Sequence, residues 1–298
     1  MLLVAGQTLH AQQEAMYTQY MFNTLAINPA YAGSRNVVSA TGLFRKQLLG
    51  FPGEPETVTF TIDAPVKDKN IGLGFQAFND RIGVTSTTGA YGTYAYRIRF
   101  DRGTLAIGIM GGVSQYIANL RNVTTSQPND PQFSTNINKF LLNFGTGVYY
   151  NTDNFFVGLS APQLLDNKLN DLDTAVVSNI AAQEYIHLFF SMGGVIRLGE
   201  DYKLKPSFLI KAVQGAPIEA DINATLWIKD IIGAGVQFRT NADMAANLEV
   251  QLSQQFRLGY SYDRSINGLA GYNNGSHELM LRYEFGFDKS KIITPRYF

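Results

Sequence analysis

From residue 37 onward the chain alternates apolar and polar side chains, the two-residue period of a strand whose faces meet different surroundings. In "ETVTFTIDAPV" Val58, Phe60, Ile62, Ala64 and Val66 fall on one face, and Thr57, Thr59, Thr61 and Asp63 on the other. In "IIGAGVQFRT" Ile232, Ala234, Val236 and Phe238 oppose Gly233, Gly235, Gln237 and Arg239. In "HELMLRYEFGF" Leu279, Leu281, Tyr283, Phe285 and Phe287 oppose Glu278, Met280, Arg282, Glu284 and Gly286. The pattern predicts about fourteen strands, at 37–47, 56–66, 70–80, 84–100, 103–117, 137–151, 153–162, 184–198, 202–214, 217–229, 230–241, 243–253, 255–265 and 276–288. Each is close to the ~9–11 residues a tilted strand needs to cross a bilayer.

Every strand keeps a polar face. Those faces carry Asp63, Arg97, Lys211, Asp221, Arg239, Glu249, Arg257, Arg282 and Glu284. On a lipid-facing wall Arg or Lys at the bilayer midplane costs roughly 2–4 kcal/mol, so in a membrane these groups must point into a lumen. Tyr94, Tyr96, Tyr149, Tyr150, Tyr260, Tyr262 and Tyr283 sit near strand ends and suit interfacial girdles. The soluble alternatives are a sandwich and a propeller. A sandwich of this length implies two domains, and no linker is visible; a propeller implies a repeat of about 40–50 residues, and none is visible. The expected fold is all-β, a transmembrane antiparallel β-barrel over residues 37–288.

The connections alternate too. The even ones are short: 67–70, 101–103, 151–153, 199–201, 229–230 and 253–255. The odd ones include every long one, 118–136, 163–183 and 266–275, with the Pro/Gly-rich "LLGFPGEP" at 48–55. Outer-membrane barrels place short turns on the periplasmic side and long loops outside. The expectation is an outer-membrane protein with both termini periplasmic and the long loops extracellular. The loops at 119–138 and 163–179 are rich in Asn, Asp and Thr, and long loops on a rigid scaffold are where binding usually resides.

Composition narrows the partners. The 298 residues hold 24 basic and 24 acidic side chains, so no basic surplus points to nucleic acid. There is no cysteine, which removes disulfides, thiolate metal sites and a cysteine nucleophile. His187 and His277 belong to no metal-binding spacing, no G-x-S-x-G elbow is present, and "GLGFQ", "GIMGG" and "GTGVYY" do not form G-x-G-x-x-G before a helix. No cofactor is expected, and an outer-membrane enzyme is the weakest of the functional classes.

Two ends stand apart from the strands. Leu2, Leu3, Val4 and Ala5 followed by Ala11 read as a signal-peptide remnant over 1–11. Residues 12–36, with "MYTQYMFNTLAINPAYAGS", fit no strand and are too apolar for a free tail. They read as a segment tethered at the short-turn side that plugs the lumen, or packs against a periplasmic partner. Residues 289–298 form a tail ending in Pro295, Arg296, Tyr297 and Phe298, which reads as a short periplasmic anchor.

These two ends also carry a resemblance. "MYTQYMFNTLAINPAYAGS", followed by "GLFRKQLLGFPGEPETVTFTIDAPV", and the closing "SHELMLRYEF" and "PRYF" resemble the PorP/SprF family of Bacteroidetes over essentially the whole chain. The matching positions are Tyr17, Gln19, Tyr20, Asn23, Asn28, Pro29, Ala30, Tyr31, Gly33, Arg45, Gln47, Pro55, Thr57 and the terminal Pro295, Arg296, Tyr297 and Phe298. Leu48 stands where the family commonly has Trp, and the loop from Gly53 to Thr57 is one residue longer than usual. The resemblance implies a non-enzymatic outer-membrane barrel of the type IX secretion system and gliding motility. Its implied partners are outer-membrane lipid, secretion components, and a secreted, adhesin-like protein carrying a type IX C-terminal sorting domain.

Two functions compete on these grounds: a barrel that holds or helps export a surface protein, and a diffusion pore or small hydrophobic-ligand channel. The charged inner face motivates the second, since fourteen strands leave a lumen unless something fills it.

Overall fold

The computed structural model describes residues 17–67, 69–123, 133, 135–167, 186–214, 216–240 and 242–285. The expected signal remnant, residues 12–16, most of the two longest loops and the 289–298 tail lie outside these.

The strands, in chain order, are β1 Val38–Lys46, β2 Glu56–Pro65, β3 Ile71–Ile82, β4 Thr85–Phe100, β5 Gly103–Ala118, β6 Ile137–Asn151 and β7 Phe155–Gln163. They continue with β8 His187–Gly194, β9 Tyr202–Val213, β10 Glu219–Ile228, β11 Ile232–Arg239, β12 Asp243–Gln251, β13 Phe256–Ser265 and β14 Ser276–Phe285. After Val195, β8 resumes as Ile196–Arg197 against the same neighbour, β9. Every strand pairs antiparallel with its neighbours in sequence, and β1 pairs with β14 from Val38↔Phe285 to Lys46↔His277. The result is a closed fourteen-strand β-barrel with no free edge.

Alternation decides which way each side chain points. On β2, Thr57, Thr59, Thr61 and Asp63 are buried, while Val58 and Phe60 are exposed on the outside. On β6, Phe140, Leu142 and Phe144 face outward at 74, 61 and 57% exposure, while Leu141 and Asn143 face inward. An outside of bare aliphatic and aromatic side chains around a polar inside is stable only with lipid as its solvent.

Tyr149 departs from the expected girdle. It points into the barrel at 1% exposure, edge-on to Tyr31 at 5.5 Å and stacked on Phe156 at 5.9 Å. Its neighbour Tyr150 takes the outward place, because two adjacent strand residues cannot share a face. Tyr94 and Tyr96 do face outward.

The barrel has two unlike ends. The turns at 66–70, 101–102, 152–154, 198–201, 229–231 and 252–255 lie at one. The connections 47–55, 119–136, 164–186 and 266–275 lie at the other. They are called below the short-turn end and the long-loop end.

Candidate functional site

The interior holds the segment that precedes β1. Residues 17–36 enter β1 at the short-turn end and run up inside the ring, as their partners show. Near Val38, Gly33 donates its N–H to Asp63 Oδ2 at 2.8 Å, Arg35 pairs with Glu284, and Arg97 Nη2 donates to Asn36 Oδ1 at 2.6 Å. Gly33 takes φ +73, a conformation that costs other residues steric strain. Next come two short 3₁₀ turns, Thr24–Ala26 and Pro29–Tyr31. Pro29 opens the second with its fixed φ, and the Asn28 side chain caps it by accepting from the Ala30 N–H at 2.9 Å. Asn28 Nδ2 also donates to Val148 O at 3.1 Å, and Ser160 Oγ donates to Ile27 O at 2.6 Å.

The segment, hereafter the arm, lies close against the wall. A Cβ at Gly108 would overlap the Pro29–Ala30 backbone, and one at Gly72 would overlap Ala32. Leu25, Ala30, Tyr31 and Ala32 pack on Ala95, Ala106, Tyr149 and Phe156. Higher up, Tyr20, Met21, Phe22 and Ile27 pack on Phe189, Leu209 and Met280. The Phe22 ring has Lys205 Nζ 5.1 Å from its centroid and the Arg282 guanidinium at 6.0 Å. Asn23 Oδ1 accepts from Thr61 Oγ1 at 2.9 Å.

The upper end of the arm is held by charge. The Thr18 and Gln19 N–H groups donate to the Glu278 carboxylate at 2.9 and 2.7 Å. Thr18 Oγ1 donates to Asp263 Oδ2 at 2.6 Å and accepts from Arg45 Nη1 at 2.6 Å. Arg45 itself bridges Asp263 at 2.6 Å and Glu278 at 3.1 Å. Beside it Arg239 pairs with Asp221 at 2.8 Å and Asp243 at 3.2 Å, and donates to Tyr17 O at 3.3 Å. Arg45, Arg239, Asp263 and Glu278 all belong to the long-loop ends of their strands. Tyr17 and Thr18 are thus near the mouth opposite to the one where the arm joins β1.

Among the residues singled out from sequence, Gln19, Tyr20, Asn23, Asn28, Pro29, Ala30, Tyr31, Gly33 and Arg45 come together in this arm and its clamp. Tyr17 is half-buried, with its hydroxyl 2.8 Å from Thr59 Oγ1. Gln47 and Pro55 are joined elsewhere: the Gln47 N–H donates to Pro55 O at 2.8 Å and closes the neck of the 48–54 loop. Thr57 lies on the β2–β3 wall, donating to Asp80 Oδ1 at 2.5 Å. Pro295, Arg296, Tyr297 and Phe298 lie outside the described residues. Asp63, Arg97, Asp221, Arg239, Glu249, Arg257, Arg282 and Glu284 are all buried on the inner face. Arg257 also lies over the Trp227 ring at 4.9 Å.

Sequence reasoning missed the roles of Thr18, Asp263 and Glu278. Glu278 does fall on the polar face of its strand, but its partner Thr18 is 260 residues away in sequence. No local spacing links them.

Above the arm, on the side lined by β3 to β9, the lumen stays open. This cavity encloses about 920 Å³ of non-atom space, part of it open to solvent. Ala26 and Ile27 lie beneath it, and Tyr17, Tyr20, Phe78, Tyr91, Phe189 and Leu209 line its sides. No group of three or more His, Cys, Asp or Glu suited to a metal occurs among the described residues.

The family described as "Type IX secretion system membrane protein PorP/SprF" matches residues 9–283. No curated protein matches the chain. Among solved structures, the CymD monoaromatic hydrocarbon channel is similar over 93% of this chain and 95% of its own, at 10% identity and a TM-score of 0.50. A Pseudomonas aeruginosa FadL homologue is similar over 90 and 94% of the two chains, at 12% identity and a TM-score of 0.47. Omp33 of Acinetobacter baumannii is similar over 84 and 98%, at 9% identity and a TM-score of 0.47. At such identities the likeness is one of fold.

Proposed function

The chain belongs to the PorP/SprF family of type IX secretion system membrane proteins, and from that premise we propose that it is a closed, non-enzymatic outer-membrane holder of a secreted surface protein. In this reading the barrel sits in outer-membrane lipid with its long-loop end outside. It works with type IX secretion components and retains, or helps export, a partner through that partner's C-terminal sorting domain.

One observation carries the reading: the lumen is occupied by the protein's own arm. Wall glycines meet arm backbone; the arm's lower end is tied by the buried Arg35–Glu284 ion pair and its upper end by hydrogen bonds to Glu278, Asp263 and Arg239. A barrel sealed in this way does not serve free diffusion, which favours holding over transport. The mouth left open faces the same side as the long loops, where a scaffold offers binding surface.

The test trims 119–136 or 164–182 in cells that display the partner. Release of the partner, with the barrel still inserted and heat-modifiable, is the expected result. Full surface retention after both trims would remove the loops from the holding role.

The second reading, a small-ligand channel, rests on the open cavity above the arm. It requires a continuous path past Leu25, Tyr31 and Tyr149, all buried in one cluster at the short-turn half.

A further inference from the structure

We propose that the cavity above the arm is a receptor for an uncharged polypeptide segment bearing an aromatic or aliphatic side chain, and that the arm itself builds one wall of it. The inference rests on the holding role proposed above and names its contact point.

The chemistry of the lining is selective. Among the described residues Asp80 is the only charged one that lines the cavity, and its carboxylate already accepts from Thr57. With no cation among these lining residues, an anionic ligand would enter without compensation for its lost hydration. The apolar part combines aliphatic and aromatic groups: Ile27, Met110, Leu209, Phe78 and Phe189. Phe78 and Tyr91 present adjacent rings with centroids 5.5 Å apart.

A second observation points to a hydrogen-bond donor in the ligand. Asn143 lines the cavity and is 2% exposed. Its Nδ2 donates to Pro162 O at 2.9 Å, but its Oδ1 has no partner among the described residues. A buried acceptor left unpaired costs roughly 1–3 kcal/mol, which a peptide N–H would relieve. Gln76, Gln163, Thr87 and Ser114 add amide and hydroxyl groups around it.

The lining argues for protein rather than sugar. Met110 and Leu209 suit an apolar side chain better than a polyhydroxylated ring.

Photocrosslinking in intact cells tests the assignment. The probe p-benzoylphenylalanine is placed at Phe78 or Tyr91 inside the cavity, and at Tyr94 on the outer wall as the lipid-facing control. The expected result is an adduct from the two inner positions alone, mapped to an uncharged segment of the surface-displayed protein. An adduct with glycan, or with lipid only, overturns the proposal, as does no adduct from either inner position. Leu209→Glu and Met110→Glu supply the functional arm. Each puts a carboxylate into the cavity and is expected to lower surface-held partner roughly tenfold or more in barrels that remain heat-modifiable. Undiminished retention in both, alongside release by the loop trims, sinks the receptor site and leaves the holding role standing. Retention through the trims and the charge variants alike sinks both.

Discussion

Arg45 in the first strand and Glu278 in the last stand opposite each other across the seam that closes the barrel, 3.1 Å apart, and both bond Thr18 of the arm. The seam and the arm share one ion-pair cluster. Asp263 completes it from the next strand, 2.6 Å from Arg45.

The cluster sets one cation between two carboxylates, so its members are not equivalent. Glu278→Ala leaves Arg45 paired with Asp263 but deprives the Thr18 and Gln19 N–H groups of their acceptor, and is expected to destabilise by roughly 1–3 kcal/mol. Arg45→Met strands two buried carboxylates, Asp263 and Glu278, and is expected to cost more, roughly 3–5 kcal/mol. Thermal unfolding followed on heat-modifiability gels measures both losses. If Arg45→Met cost no more than Glu278→Ala, lost ion pairing would not be the cause.

Conductance separates a sealed barrel from a pore. The intact protein in planar bilayers is expected to be silent, and deletion of residues 12–36 to give large, stable currents. Gly108→Val is the subtler variant. Its side chain would meet the Pro29–Ala30 backbone, so it is expected to displace the arm and give intermittent openings. Steady current from the unaltered protein would contradict closure.

The direction of the arm is testable because the chain has no cysteine. A single Tyr17→Cys is expected to react with a membrane-impermeant maleimide applied to intact cells. Asp153→Cys, at a short turn, is expected to react only after the outer membrane is opened. Reversed labelling would overturn the orientation of the barrel. The expectation of a periplasmic N-terminus concerns residues outside the described ones; the described arm begins at Tyr17, beside Arg239 at the long-loop end.

The 47–55 loop carries a pH-sensitive tie. The hydrogen bond from Lys46 and the Gly50 N–H hold the Glu54 carboxyl below its usual range. A depressed carboxylate stabilises above its unfolded pKa, and the tie is lost as pH falls below about 4.5 through the folded value. Proteolysis within 48–54 is expected to rise at low pH in the native protein and to be pH-independent in Glu54→Gln. The pair is exposed, so high salt should blunt the contrast.

The alternation made the strands legible because side-chain direction in a strand is fixed by parity. The charges on the inner face were legible for the same reason: Asp63, Arg239 and Arg282 could not face lipid. Tyr149 was misplaced because Tyr149 and Tyr150 are chemically alike and only neighbours decide which turns inward. The break at Val195 was unreadable in a segment whose apolar pattern runs through it. The clamp was hidden most deeply, since Thr18, Arg45, Asp263 and Glu278 meet only once the ring is closed.

That last point bears on assembly. Arg45 and Glu278 come side by side only when the first and last strands zip together, and only then does Thr18 find its full set of partners. Zipping the seam therefore completes the seat of the arm's upper end, while the lower half rests on Ala95, Ala106, Tyr149 and Phe156, far from the seam. Closing the ring and seating the tip of the arm reinforce each other, and a half-zipped intermediate carries an arm moored at one end only.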